Sequence, residues 1–172
     1  QGGPFNHSIA GICVGLGEVN SPKFKEYAKQ VVKNARKIAK ELQKHDFQIV
    51  SGGTDKHLVL INLNNKPLLG KKFARALDYA GIVANMNTMP QETKSPANPS
   101  ALRIGTPWLT TRGMKESEME QIAQWIDKVM GICSVWQGLE FSDFEEEVAK
   151  SEDLKKISEE VKVLCLQFPL EF

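Results

Sequence analysis

The chain has 172 residues, 41% hydrophobic and 25% charged, with a net charge of +1. That is enough apolar mass for one compact domain without disulfide or metal staples. The near-zero charge excludes strong attraction to nucleic acid or anionic membrane, and no apolar run approaches the roughly 18 residues that span a bilayer. Cys13, Cys133 and Cys165 are odd in number, far apart and set in apolar surroundings. Buried thiols in a reducing, cytoplasmic setting are expected from them, rather than a disulfide frame or a zinc site.

In chain order, Gln1-Gly2-Gly3-Pro4 reads as a glycine-rich turn without a methionine, which suggests a piece of a longer protein. His7 to Val19 is a mostly apolar helical stretch whose small residues call for close packing against a partner. Ser21-Pro22 is a helix start, with Ser21 as N-cap. From Pro22 to Lys44 an apolar stripe of Phe24, Ala28, Val31, Ala35, Ile38 and Leu42 predicts one long amphipathic helix. Its other face is strongly basic and is expected to be solvated, or to face the acidic tail.

Phe47–Ser51 and His57–Leu63 predict two strands of an antiparallel hairpin, with a tight turn at Gly52-Gly53-Thr54-Asp55 in which Asp55 caps its own backbone. A short helix is expected over Gly70–Ala80, ended by Gly81. An extended run over Ile82–Asn85 and a loop over Asn87–Pro99 follow. Leu102–Ile104 is a further strand. Lys115–Met130 is an amphipathic helix with Met119, Ile122, Ile126 and Val129 inward, stopped by Gly131. Phe144–Val163 is an acidic, helical tail. Helices around a small antiparallel sheet give an α+β class.

Arg103 is the first candidate for chemistry. It stands between Leu102 and Ile104, and a guanidinium there needs an anionic partner. That partner is either a carboxylate of this chain or the carboxylate of a ligand clamped by the planar fork. Asn85 and Asn87 lie two apart, so an extended backbone puts both amides on one side, where they could read a heterocycle or cap the loop. The three histidines and three cysteines show no metal-ligand spacing.

Taken together, six motifs occur in one order. They are QGGP-x-x-H (Gln1–His7), FKEYAKQVVKNA (Phe24–Ala35), IVSGGTD-x-HL (Ile49–Leu58), N-x-N-x-x-P (Asn85–Pro90), R-I-G-T-P (Arg103–Pro107) and TTRG-x-x-E (Thr110–Glu116). From Gln1 to about Gly131 the chain closely resembles the C-terminal part of serine hydroxymethyltransferase. The resemblance implies the small domain of a fold-type I pyridoxal-phosphate enzyme that interconverts serine and glycine, with tetrahydrofolate as co-substrate. It implies that Arg103 grips the substrate α-carboxylate and that Asn87 contacts folate. Gly2 and Gly3 would offer backbone N–H groups to the cofactor phosphate of the neighbouring subunit.

It further implies a homodimer or homotetramer in the intact enzyme, and a large domain that carries the Schiff-base lysine and the catalytic groups. No lysine here stands in that motif, so no catalytic residue is assigned to this chain and activity alone is not expected. Residues 1–21 would pack on the large domain, residues 22–131 would contact substrate and folate, and residues 132–172 would form a helical acidic extension. Ala101, Trp108, Met86 and Lys56 depart from the family's usual residues, and they bear on the folate contacts. Two other readings are a β-hydroxy amino acid aldolase of the same fold type, and a non-enzymatic binding module using the basic helix.

Overall fold

The computed structural model describes residues 2–170. Gln1, the first residue of the QGGP motif, lies outside them, as do residues 171 and 172. Helix α1 (Asn6–Val19) is followed by α2 (Pro22–Lys44), β1 (Gln48–Ile49), β2 (Leu58–Asn62), α3 (Gly70–Tyr79) and β3 (Asn85–Asn87). Then come β4 (Ala101–Gly105), α4 (Pro107–Thr111), α5 (Glu116–Cys133), α6 (Phe141–Lys150) and α7 (Glu152–Gln167). The sheet has four strands in the order β1-β2-β4-β3, every pairing antiparallel. This is the expected α+β architecture.

Helix α2 begins as its sequence dictates. Ser21 Oγ accepts from the Phe24 amide at 3.2 Å, and Pro22 occupies the first turn, where no N–H is needed. Its apolar stripe is buried only from Val31 onward; Phe24 and Ala28 are exposed, while Tyr27 between them reaches α4 through the Pro107 carbonyl at 3.2 Å. Ala35, Ile38 and Leu42 pack into one core with Val59, Ile61, Leu102 and Ile104 of the sheet and Met119, Ile126 and Val129 of α5. The basic face is largely solvated, as Lys23, Lys25, Lys29, Lys33, Arg36, Lys40 and Lys44 are exposed, and its contact is with α5 rather than the tail. Lys37 pairs with Glu120 at 3.0 Å and His45 Nδ1 lies 3.1 Å from Asp127. Buried Glu41 is held by Lys37 at 2.6 Å and Lys44 at 2.8 Å, and these bonds keep its carboxyl below the usual range.

Several expected boundaries move. The first strand is cut to two residues because Val50–Gly52 turns into a 3-10 helix with Ser51 in the left-handed region (φ 63). Thr54, not Asp55, staples the connection: its hydroxyl donates to the Leu58 carbonyl at 2.7 Å and accepts from the Lys56 amide at 3.1 Å. The extended run expected over Ile82–Asn85 forms a strand only from Asn85 to Asn87, where β4 supplies backbone partners. Helix α5 continues through Gly131 to Cys133, since Met130 and Cys133 are buried and their packing outweighs the low propensity of one glycine. The turn of helix α4 was not anticipated. The tail is two helices, and Phe144, Val148, Leu154, Ile157 and Leu164 enter the common core. Of the cysteines only Cys133 is fully buried; Cys165 is half-buried and Cys13 is exposed on α1.

Helix α1 buries none of its residues. Ile9, Ile12, Val14 and Leu16 face solvent because the helix stands off the domain rather than packing on it.

Candidate functional site

Strand β4 alternates with period two. Leu102 and Ile104 enter the core, while Arg103 is on the opposite, outer face. The burial cost expected of a guanidinium between two aliphatic residues therefore does not arise. The register builds two rows on that outer face. Arg103 stands between Leu60 of β2 and Asn85 of β3. One step along, Ala101 stands between Asn62 and Asn87, and Asn62 in turn pairs with Gln48 of β1. The face thus carries one cation and a row of amides. Asn62 Nδ2 donates to Gln48 Oε1 at 3.0 Å, and Asn87 Nδ2 donates to the Thr88 carbonyl at 2.6 Å.

Among the described residues Arg103 makes no ion pair or side-chain hydrogen bond. Glu145 and Asp78 pair instead with Arg75. Among the described residues the internal ion pair considered from sequence is therefore not formed. What the site can do chemically follows from this inventory: a free planar fork suits a carboxylate, and amides two residues apart on its flank suit mixed donor and acceptor edges.

Two devices hold the rows in place, and sequence reasoning missed both. The first lies in the loop from β3 to β4. The Glu92 carboxylate accepts from Ser100 Oγ at 2.6 Å, Lys94 N at 2.8 Å and Ser100 N at 3.0 Å. These bonds, the Ser100 hydroxyl foremost, pull its carboxyl down to about 2. No local pattern marks an acid that closes on a serine eight positions away. The second is a buried polar chain under α4. Asn34 donates to Thr110 Oγ1 and to the Met114 carbonyl, both at 2.9 Å, and Thr110 Oγ1 donates to the Thr106 carbonyl at 2.8 Å. Thr106 Oγ1 donates to the Val31 carbonyl at 2.8 Å. A polar residue inside the apolar half of the α2 pattern was the available signal.

Gly70 marks a third constraint. Its amide donates to the Pro99 carbonyl at 2.9 Å, and a Cβ there would lie 2.5 Å from the Ala101 carbonyl oxygen. Only glycine lets the start of α3 come this close to β4.

The structure brings Arg103 and Asn87 onto adjacent strands and one face. It does not bring Gly2 and Gly3 there: both lie exposed before α1. Asp55 and His57 share no hydrogen bond; the His57 carbonyl instead accepts from the Thr106 amide at 3.0 Å. Among the described residues there is no cluster of metal-ligating side chains.

A family model for serine hydroxymethyltransferase matches residues 1–126. The chain belongs to the serine hydroxymethyltransferase family. A serine hydroxymethyltransferase of Acidothermus cellulolyticus is 46% identical over 169 residues, which is 98% of this chain and 38% of that relative. The chain therefore spans less than half the length of the serine hydroxymethyltransferase it matches. That high coverage includes α6 and α7, so the likeness extends over the tail as well as the motif-bearing part. Membership makes this a chain of a transferase family. Among the described residues no helix is long and apolar enough to cross a membrane.

Proposed function

We propose that this chain is the substrate-clamping and folate-contacting part of a cytoplasmic serine hydroxymethyltransferase. The intact protein would convert serine and tetrahydrofolate reversibly to glycine and 5,10-methylenetetrahydrofolate. The single observation that carries the reading is Arg103, exposed, unpaired and flanked by Asn85 on the outer face of the sheet. Its two-donor edge holds the α-carboxylate of serine or glycine, which fixes the orientation of the Cα substituents. Asn87, one register step away, offers its side-chain oxygen to a pteridine edge.

Pyridoxal phosphate, when bound, supplies the electron sink for bond breaking at Cα. The contribution of this chain is at the phosphate end. Gly2 and Gly3 have nothing within 4 Å of where a Cβ would stand, so an anion can approach their backbone N–H groups. In an intact homodimer or homotetramer those groups would serve the neighbouring subunit. Residues 1–21 would pack on the large domain, residues 22–131 would contact substrate and folate, and residues 132–172 would be a helical extension sharing the core.

The lysine that binds the cofactor covalently belongs, in this reading, to the large domain. The 172-residue chain mixed with pyridoxal phosphate and then borohydride should acquire no stoichiometric adduct on one lysine. Such an adduct would overturn the assignment. The folate arm separates the aldolase reading: in the intact protein, serine cleavage should depend on tetrahydrofolate, and Asn87→Ala should raise the folate requirement while serine binding is kept.

A further inference from the structure

The core is not closed at the C-terminal end of β4. A cavity of about 550 Å³ opens between α4, α5 and α7, within the size range of small-molecule sites. Trp125, Ile126 and Leu164 are buried and form its floor. Trp108 and Val83, which are 62% and 83% exposed, stand at its mouth.

Arg112 is on the wall of this cavity. One of its terminal nitrogens donates to the Cys165 carbonyl at 2.5 Å. Its Nε is buried and has no hydrogen-bond partner. Among the described residues no carboxylate neutralises the guanidinium. On α7, Glu160 accepts from Trp125 Nε1 at 2.7 Å and does not line the cavity. A buried N–H without an acceptor is unfavourable, and more so when it belongs to a charged group. An unneutralised guanidinium in an apolar wall is a selective receptor for an anion that also carries apolar surface.

We propose that this cavity binds a small amphipathic carboxylate. The carboxylate meets the other terminal nitrogen of Arg112, which makes no hydrogen bond among the described residues, and the apolar body lies between Trp108 and the α7 residues Val161 and Leu164. The site is distinct from the outer face that carries Arg103, since Ile104 lines the cavity from the core face of the same strand. The inference therefore does not rest on the proposed function.

The test titrates the 172-residue chain with octanoate, and separately with 1-octanol, by calorimetry and tryptophan fluorescence. Trp108 and Trp125 both line the cavity, so binding should change the emission. Octanoate should bind saturably at one site and at least about tenfold more tightly than 1-octanol, the effect of one charge-assisted hydrogen bond. Arg112→Gln should bring octanoate down to the affinity of 1-octanol, and Val161→Trp should abolish both by filling the cavity. Serine, having no apolar body, should not displace octanoate. Equal affinities for the acid and the alcohol, no response to Arg112→Gln, or no saturable octanoate binding would each overturn the proposal. If Val161→Trp does not fold, the Arg112→Gln comparison decides alone.

Discussion

The side-chain amide of Asn34 in α2 donates to the hydroxyl of Thr110 in α4 at 2.9 Å, across 76 positions of sequence. The same amide reaches the Met114 carbonyl, so one buried residue of the longest helix ties down the last turn of α4 and the chain that leaves it. Asn34→Leu should leave the Met114 carbonyl without its donor in a dry environment. The expected loss is about 1–3 kcal/mol, read as a lower urea midpoint at unchanged m-value. A neutral result would show that water satisfies these groups.

Glu92 should make the loop between β3 and β4 sensitive to acid. Its folded pKa of about 2 lies below the roughly 4.3 of an unfolded glutamate, so its contribution is fully present above the unfolded value and lost as pH falls through the folded one. Glu26, Glu41, Glu116 and Glu118 are also lowered, so the useful quantity is a difference between variants. Glu92→Gln should be less stable than the parent near neutral pH, and the gap should narrow between about pH 4 and pH 2. Urea midpoints measured across that window check it.

Arg103→Lys in the intact protein keeps the charge and removes the planar fork. Serine affinity should fall by about one to two decades, the effect of one charge-assisted hydrogen bond. Turnover should fall further, because misorientation also affects the bond-breaking step. The cofactor spectrum is the control and should hardly change. Normal serine binding with loss of cofactor would mean that Arg103 is structural.

Gly70→Ala should force α3 away from β4, because the added Cβ would lie 2.5 Å and 2.8 Å from the carbonyl oxygens of Ala101 and Pro99. Both obstacles are backbone, so neither can rotate aside. Overpacking of this kind costs about 1–3 kcal/mol, visible in thermal unfolding. Exchange of the Gly70 amide, which is bonded to Pro99, should also accelerate.

Helix α1 should be the least protected helix in a monomer of this chain. It buries no residue and exposes Ile9, Ile12, Val14 and Leu16, whereas α2 is anchored by seven buried positions. Hydrogen exchange should be fast over residues 6–19 and slow over residues 31–42. Slow exchange of α1 in a verified monomer would contradict this.

The features legible in the chain alone are mostly periodic. The α2 stripe and the Ser21-Pro22 start each follow from neighbours within a few residues, and the bounds of α2 are those expected because that local signal is strong. The order of six motifs carried the family, because their joint spacing is specific where each alone is not. Tertiary structure decided the rest. Only the register of β3 on β4 put Asn85 and Asn87 beside Arg103, and among the described residues the fold gives that arginine no side-chain partner. The Glu92 clasp, the Asn34 bridge and the unsatisfied Arg112 Nε depend on contacts between segments distant in sequence. Burial likewise overrode propensity at Gly131 and drew the acidic tail into the core, since apolar area removed from water is set by neighbours in space, not in sequence.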